Sequence, residues 1–235
     1  MLERLPLLGG LALLAIAFVI GSVAIAHGIR DKNRNDVISV TGSAKKRIVS
    51  DYVVWTFSVT SEQGSAVGAA RELARWTGKI RSFLSGAGVE GSEVSVQPIS
   101  TETVSRKGRI SSFRLTRSFE IRSPRVSALT DVADRSSRLL GEGIPLRADA
   151  PQYVYTKLPA LRPQLLAQAT RDARSRARVI VDATGSRLGK LRRVSVGVFQ
   201  ITSPNSTEVE DYGVYDTSTL EKDVTAVVNV TFALK

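Results

Sequence analysis

The chain has 235 residues, no cysteine and one histidine, His27. Disulfides, thiol nucleophiles and cysteine metal sites are excluded, and most hydrolase and zinc chemistries go with them, because histidine is their commonest base or ligand. A net charge of +11 points to anionic partners such as lipid head groups, cell-wall polymers or acidic proteins, while nucleic acid is set aside because the arginines lack interleaved aromatics.

Leu7 to Ala26 are uncharged and mostly apolar. A helix of that length spans roughly 30 Å, the thickness of a bilayer's hydrocarbon core. The run reads as a retained membrane anchor, with a cleaved signal as the alternative, since Ala24-Ile25-Ala26 has the small-x-small form of a signal peptidase site. Either way residues 27–235 are expected across the membrane, in the periplasm or outside the cell. Residues 27–35 are a polar linker holding Arg30, Lys32 and Arg34.

Ile38, Val40 and Gly42 alternate in a short strand, and Val53, Trp55, Phe57 and Val59 form the buried face of a long one. A helix is expected over about Ser65 to Ser85, with Ala66, Ala69, Ala70, Leu73, Thr77, Ile80 and Leu84 inward and Gly86-Ala87-Gly88 as its stop. Two strands follow, one through Val94, Val96 and Pro98, the other through Phe113, Leu115, Phe119 and Ile121, with Lys107-Gly108 as their turn. Ser123-Pro124 predicts an N-cap and first helical residue, opening a second helix through Leu140 that Gly141 and Gly143 end. A strand over Ala150 to Lys157 precedes a third helix, Pro159 to Thr184, whose inner stripe is Leu166, Ala169, Ala173, Ala177 and Ile180. One strand is expected near Leu191 to Thr202 and the last over Val224 to Leu234. The predicted order is β-β-α-β-β-α-β-α-β-β after the N-terminal helix. This is an α+β fold, a mainly antiparallel sheet with helices packed on it. Residues 36–235 read as one domain, with hairpin–helix units suggesting two sub-lobes.

No motif carries chemistry. Thr41-Gly42-Ser43-Ala44 is too short for a phosphate loop and reads as a strand-end turn. Asp51 has no second carboxylate or histidine at a useful spacing and reads as a turn or capping residue, and Trp55 and Trp76 read as core. No catalytic, cofactor-binding or metal residue is assigned, and no cofactor is expected. The stretch Ser203 to Lys222 sets Glu208, Glu210, Asp211, Asp216 and Glu221 against Lys222 alone, without the spacing of a calcium loop, and reads as a flexible hairpin loop. Arg171, Arg174 and Arg178 lie on the outer side of the third helix. This segregation makes Glu208, Glu210 and Asp211 of one copy, with Arg171, Arg174 and Arg178 of another, the candidate contact of a homo-oligomer.

Several features recur together: Ile38-Ser39-Val40-Thr41-Gly42, Asp51 before the long strand, Gly88-Val89, Phe113 and Gly143-Ile144. The Ala-rich helix adds Ala167, Ala169, Ala173, Ala177 and Ala183, ending in Gly185 and Leu188-Gly189. Over residues 36–235 this layout resembles the SIMPL-domain family, bacterial envelope proteins that include periplasmic immunogenic antigens and oxidative-stress defence proteins. Ser43-Ala44 departs from the family's Gly-x-Gly-like opening turn. The resemblance implies an exported, non-enzymatic protein of structural or assembly type, linked to envelope or oxidative stress, in a family with ring-forming members. The rival readings are a basic module on a membrane or cell-wall surface and an unrecognised hydrolase.

Overall fold

A computed structural model describes residues 17–22, 36–207 and 210–235. Residues 17–22 are helical. The rest of the predicted anchor and the whole linker lie outside the described residues, and among those described no helix is long and apolar enough to cross a membrane. The architecture is mixed: two antiparallel sheets with helices packed on them. The chain divides into two compact units.

The larger unit comprises Lys45–Leu165 and Val198–Thr225. Its centre is β2 (Tyr52–Gln63) paired antiparallel with β5 (Arg109–Ser123). Strict alternation along β2 buries Val53, Trp55, Phe57, Val59 and Ser61. The register sets Trp55 opposite Ile121 and Phe57 opposite Phe119, whose rings stack at 4.9 Å. Rings buried in this way each stabilise the fold by roughly 1.5–3 kcal/mol, with a further 0.5–1.5 from the aromatic pair. Helix α1 (Ala66–Gly86) covers this face with Ala69, Leu73, Thr77, Ile80 and Leu84. Ser65 caps it by accepting from the Gly68 N–H, and Gly88, at φ 82°, reverses the chain after it.

Around this pair the element order departs from the predicted one. Pro98 has no N–H to continue a ladder, so its strand divides into β3 (Val94–Val96) and β4 (Ser100–Arg106). Lys107 and Gly108, at φ 51° and 74°, make the expected β4–β5 turn. Ser123 is not an N-cap. It is still paired with Val53, and its Oγ donates to Glu93 while accepting the Arg125 N–H. The following helix breaks in two, α2 (Val126–Arg135) and α3 (Arg138–Gly141), where Ser136 bonds back to Ala133 through both N–H and Oγ. The break rotates Leu139 into the core and leaves Leu140 53% exposed. The strand predicted over Ala150 to Lys157 shortens to β7 (Gln152–Val154), and an unpredicted β6 (Leu146–Ala148) precedes it, both on β2.

Among the described residues, the smaller unit includes residues 36–44, Leu166–Gly197 and Ala226–Lys235. It draws on β1 (Val37–Val49), β8 (Leu188–Val196), β10 (Glu221–Leu234) and α4 (Leu158–Ala183), the strands in the order β1-β10-β8. β9 (Gln200–Thr202) pairs with the first residues of β10, within the larger unit. The predicted strand Leu191 to Thr202 is thus two strands on one partner, separated by Gly197 to Phe199.

Ala169, Ala173 and Ala177 are fully buried against Val40, Val228, Val230 and Phe232. The stripe continues at Val181, 2% exposed, and not at Ile180, 47% exposed, because the buried row steps by four residues. Gly42 is not in a turn. It sits inside β1, where an added Cβ would stand 2.2 Å from the Ala169 carbonyl oxygen and 2.4 Å from the Ala173 nitrogen. Strand and helix backbones meet there, so only glycine fits.

Candidate interaction surface

The acidic segment is built on β9. Thr202, Ile201 and Gln200 pair with Asp223, Val224 and Thr225, and all three β9 residues are buried. The Gln200 side chain holds both limbs of the loop: its Nε2 donates to the Glu210 carbonyl at 2.7 Å and its Oε1 accepts the Val214 N–H at 2.8 Å. The Ile201 N–H donates to the Val214 carbonyl and the Asp216 N–H to that of Ile201, both at 2.8 Å. The returning limb thus runs parallel beside β9. The expectation of a plain flexible loop fails for these residues, since a side-chain amide and a strand edge fix them.

Two buried charge groups brace the base. Lys222 is fully buried; its Nζ lies 3.4 Å from Asp216 Oδ2 and donates to the Thr219 carbonyl. Burial pushes the Lys222 ammonium below its ordinary value against the pull of Asp216. Burial pushes the Asp216 carboxyl up, but hydrogen bonds from Ser218 and Thr219 and the charge of Lys222 hold it well below the usual carboxylate range. Next to it, Asp223 takes Arg47 Nε at 3.0 Å, Lys45 Nζ at 3.3 Å and the Asn205 N–H at 3.1 Å. The Arg47 hydrogen bond is the main reason its carboxyl also stays well below the ordinary range. Asp216 is therefore used internally and does not belong to the acidic surface.

What projects is the tip. Glu210 and Asp211 are exposed, and Tyr212 is 97% exposed. Glu208 lies outside the described residues. Below the tip, Arg162, Val198, Phe199, Tyr212 and Tyr215 line an open groove of about 290 Å³, with the Arg162 guanidinium 5.6 Å from the centre of the Phe199 ring. Arg171, Arg174 and Arg178 are exposed on α4 in the smaller unit, where Asp172 bonds Arg176 at 2.9 Å and accepts the Ser43 N–H at 2.9 Å.

The sequence missed Tyr212, Arg162 and the Lys222–Asp216 brace. A signal for the brace was present: Lys222 is in phase with Val224, Ala226, Val228 and Val230, so extending the period-two pattern back by one step puts it inside.

The other clusters are structural. Asp51 accepts from the Thr156 N–H at 2.7 Å and Thr156 Oγ1 at 2.9 Å, tying the β1–β2 turn to the chain just before α4. Burial opposes, and these bonds outweigh, so its carboxyl lies below the ordinary value. An open cleft of about 500 Å³ beside the end of α1 is lined by Arg81, Ser82, Leu84, Ser85, Val89 and Val94, with no base beside either serine. Among the described residues no group of three or more His, Asp or Glu is placed to hold a metal ion.

A family model described as SIMPL, protein of unknown function (DUF541), matches residues 38–232. No curated protein matches the chain. Two solved structures share local likeness. The first is the de novo designed protein Foldit4, at 14% identity over 42% of this chain and 93% of that one, with a TM-score of 0.26. The second is a putative amidohydrolase/peptidase from Burkholderia cenocepacia, at 17% identity over 48% of this chain and 30% of that one, with a TM-score of 0.22. Likeness at that level says nothing about fold or activity.

Proposed function

We propose a function from one premise: the chain belongs to the SIMPL family, whose model spans residues 38–232. The protein is a non-enzymatic component of the cell envelope, tethered through Leu7–Ala26, with residues 27–235 in the periplasm or outside the cell. It self-associates, and the tip of the acidic loop is one side of the contact. The observation that carries this reading is the pairing of a fully exposed tyrosine and free carboxylates with a buried brace beneath them. A projection already held in place loses little entropy on docking, and an exposed tyrosine next to acids is the kind of anchor that protein interfaces use. The counter-surface is basic, with Arg171, Arg174 and Arg178 as its candidates. Exposed ion pairs contribute only about 0–1 kcal/mol each, so they orient the contact while Tyr212 and apolar neighbours supply its energy.

The test uses the full chain in detergent. Replacing Glu208, Glu210 and Asp211 with Ser should lower the assembled mass and its sensitivity to salt, with the circular dichroism spectrum unchanged. Tyr212→Ala should weaken assembly further. An unchanged oligomer in both variants removes the loop from the interface.

A further inference from the structure

One end of the smaller unit gathers four chain segments. The Leu234 N–H donates to the Asp36 carbonyl at 2.8 Å, and Arg187 and Lys235 exchange backbone hydrogen bonds at 3.0 and 2.8 Å. Leu234 is paired with Leu188 and Phe232 with Leu191. The start of β1, the start of β8 and the finish of β10 therefore lie together. α4 ends there too: it passes Gly42 at Ala169 and Ala173, then runs back along β1 to Ala183, five residues before β8.

This end is both apolar and basic. Val179, Ile180 and Leu191 are 68, 47 and 54% exposed. The same segments carry exposed Arg187, Lys190, Arg192, Arg193 and Lys235 against exposed Asp36 and Asp182. Three large exposed aliphatic side chains in segments rich in cations call for a cover.

The chain itself selects the cover. Nine residues, 27–35, separate the apolar run from Asp36. Fully extended they reach about 30 Å, so this end stays within that distance of wherever Ala26 leaves the hydrocarbon. The linker sequence itself carries Arg30, Lys32 and Arg34 against Asp31. A lipid surface takes aliphatic side chains at the headgroup boundary and attracts cations when the lipid is anionic.

We infer that this end of the smaller unit, with Val179, Ile180 and Leu191 foremost, seats on the anionic bilayer that holds the Leu7–Ala26 segment. The inference rests on the tether reading above and goes beyond it, because a tether alone leaves the unit free in solvent.

The chain has no cysteine, so one introduced label reports one place. Full-length Ile180→Cys, carrying an environment-sensitive fluorophore, is reconstituted into vesicles of phosphatidylglycerol and phosphatidylcholine, or of phosphatidylcholine alone, with headgroup-proximal quencher lipids. Val67→Cys, on the exposed side of α1, serves as the control. Each cation at an anionic surface strengthens partitioning by about fivefold. Quenching at position 180 should therefore be several-fold stronger in the anionic vesicles, fall as salt rises, and vanish in Arg187→Glu/Lys190→Glu. Flotation of the vesicles after alkaline wash reads the tether separately. Protein that floats, with position 180 no more quenched than position 67, overturns the seating and leaves the tether. Protein that does not float overturns both.

Discussion

Gly42 shows how a residue's meaning depends on what faces it. In the sequence, Thr41-Gly42-Ser43 has the composition of a turn; in the fold it is the one place in β1 where a helix backbone comes within 2.4 Å of a would-be Cβ. The Ala-rich row of α4 was legible, because small residues at helical spacing imply close packing, but its strand partner was not. Gly42→Ala should cost about 1–3 kcal/mol or more by overpacking, and Ala173→Leu a similar amount. Ser175→Leu, on the exposed side of α4, should stay within about 0.5 kcal/mol. Thermal unfolding of the three variants checks this, and equal losses at 173 and 175 would place the wrong face inward. Lys222 is the second case. Removing one partner of a buried pair costs about 3–5 kcal/mol, whereas replacing both with apolar or neutral groups can be nearly neutral. Lys222→Met should lower stability by about 3 kcal/mol, at the lower end because Ser218 and Thr219 still bond Asp216. Adding Asp216→Asn should recover much of the loss.

At the scale of elements, period-two alternation found β2, β5 and β10, and helical spacing found α1 and α4, because each has one face buried against a neighbour. Divisions within elements were not legible. Pro98 and the Ser136-Ser137 pair act locally, and whether a strand or helix continues past such residues depends on bonds such as Ser136 to Ala133 that only the assembled chain supplies. The acidic loop was legible as charge and not as structure, since the side chain of Gln200 organises it from within β9. Its brace predicts a pH dependence. Asp216 and Asp223 titrate at about 3.8 when unfolded and lower when folded. Their stabilisation is fully present above pH 3.8 and is lost as pH falls through the lower folded values, because the unfolded chain takes up protons first. The melting temperature should therefore drop as pH falls below about 4, more gently in Asp223→Asn, which has less to lose. Equal slopes in the two proteins would remove Asp223 from the brace.

For the molecule as a whole, the family was legible in diffuse features — the opening strand with Gly42, Asp51, and the Ala-rich helix closing on Gly185 — because each marks a packing need rather than a reaction. The proposed location rests on chain order: an apolar run, then nine mostly polar residues, then two folded units. A phosphatase reporter joined after Lys235 should be active only outside the cytoplasm, and activity inside would withdraw the export reading. Charge segregation also belongs to this scale. Ser203 to Lys222 carries a net charge of −4 in a chain of +11, so the proposed self-association would draw copies together through unlike regions. Raising salt shortens the screening length from about 10 Å at 0.1 M to about 3 Å at 1 M and should loosen that attraction. Light scattering of the full chain in detergent, with the detergent mass subtracted, measures the outcome directly. The predicted result is a protein mass of several times 25.4 kDa that falls as salt rises; a mass of one chain at every concentration and salt would contradict self-association.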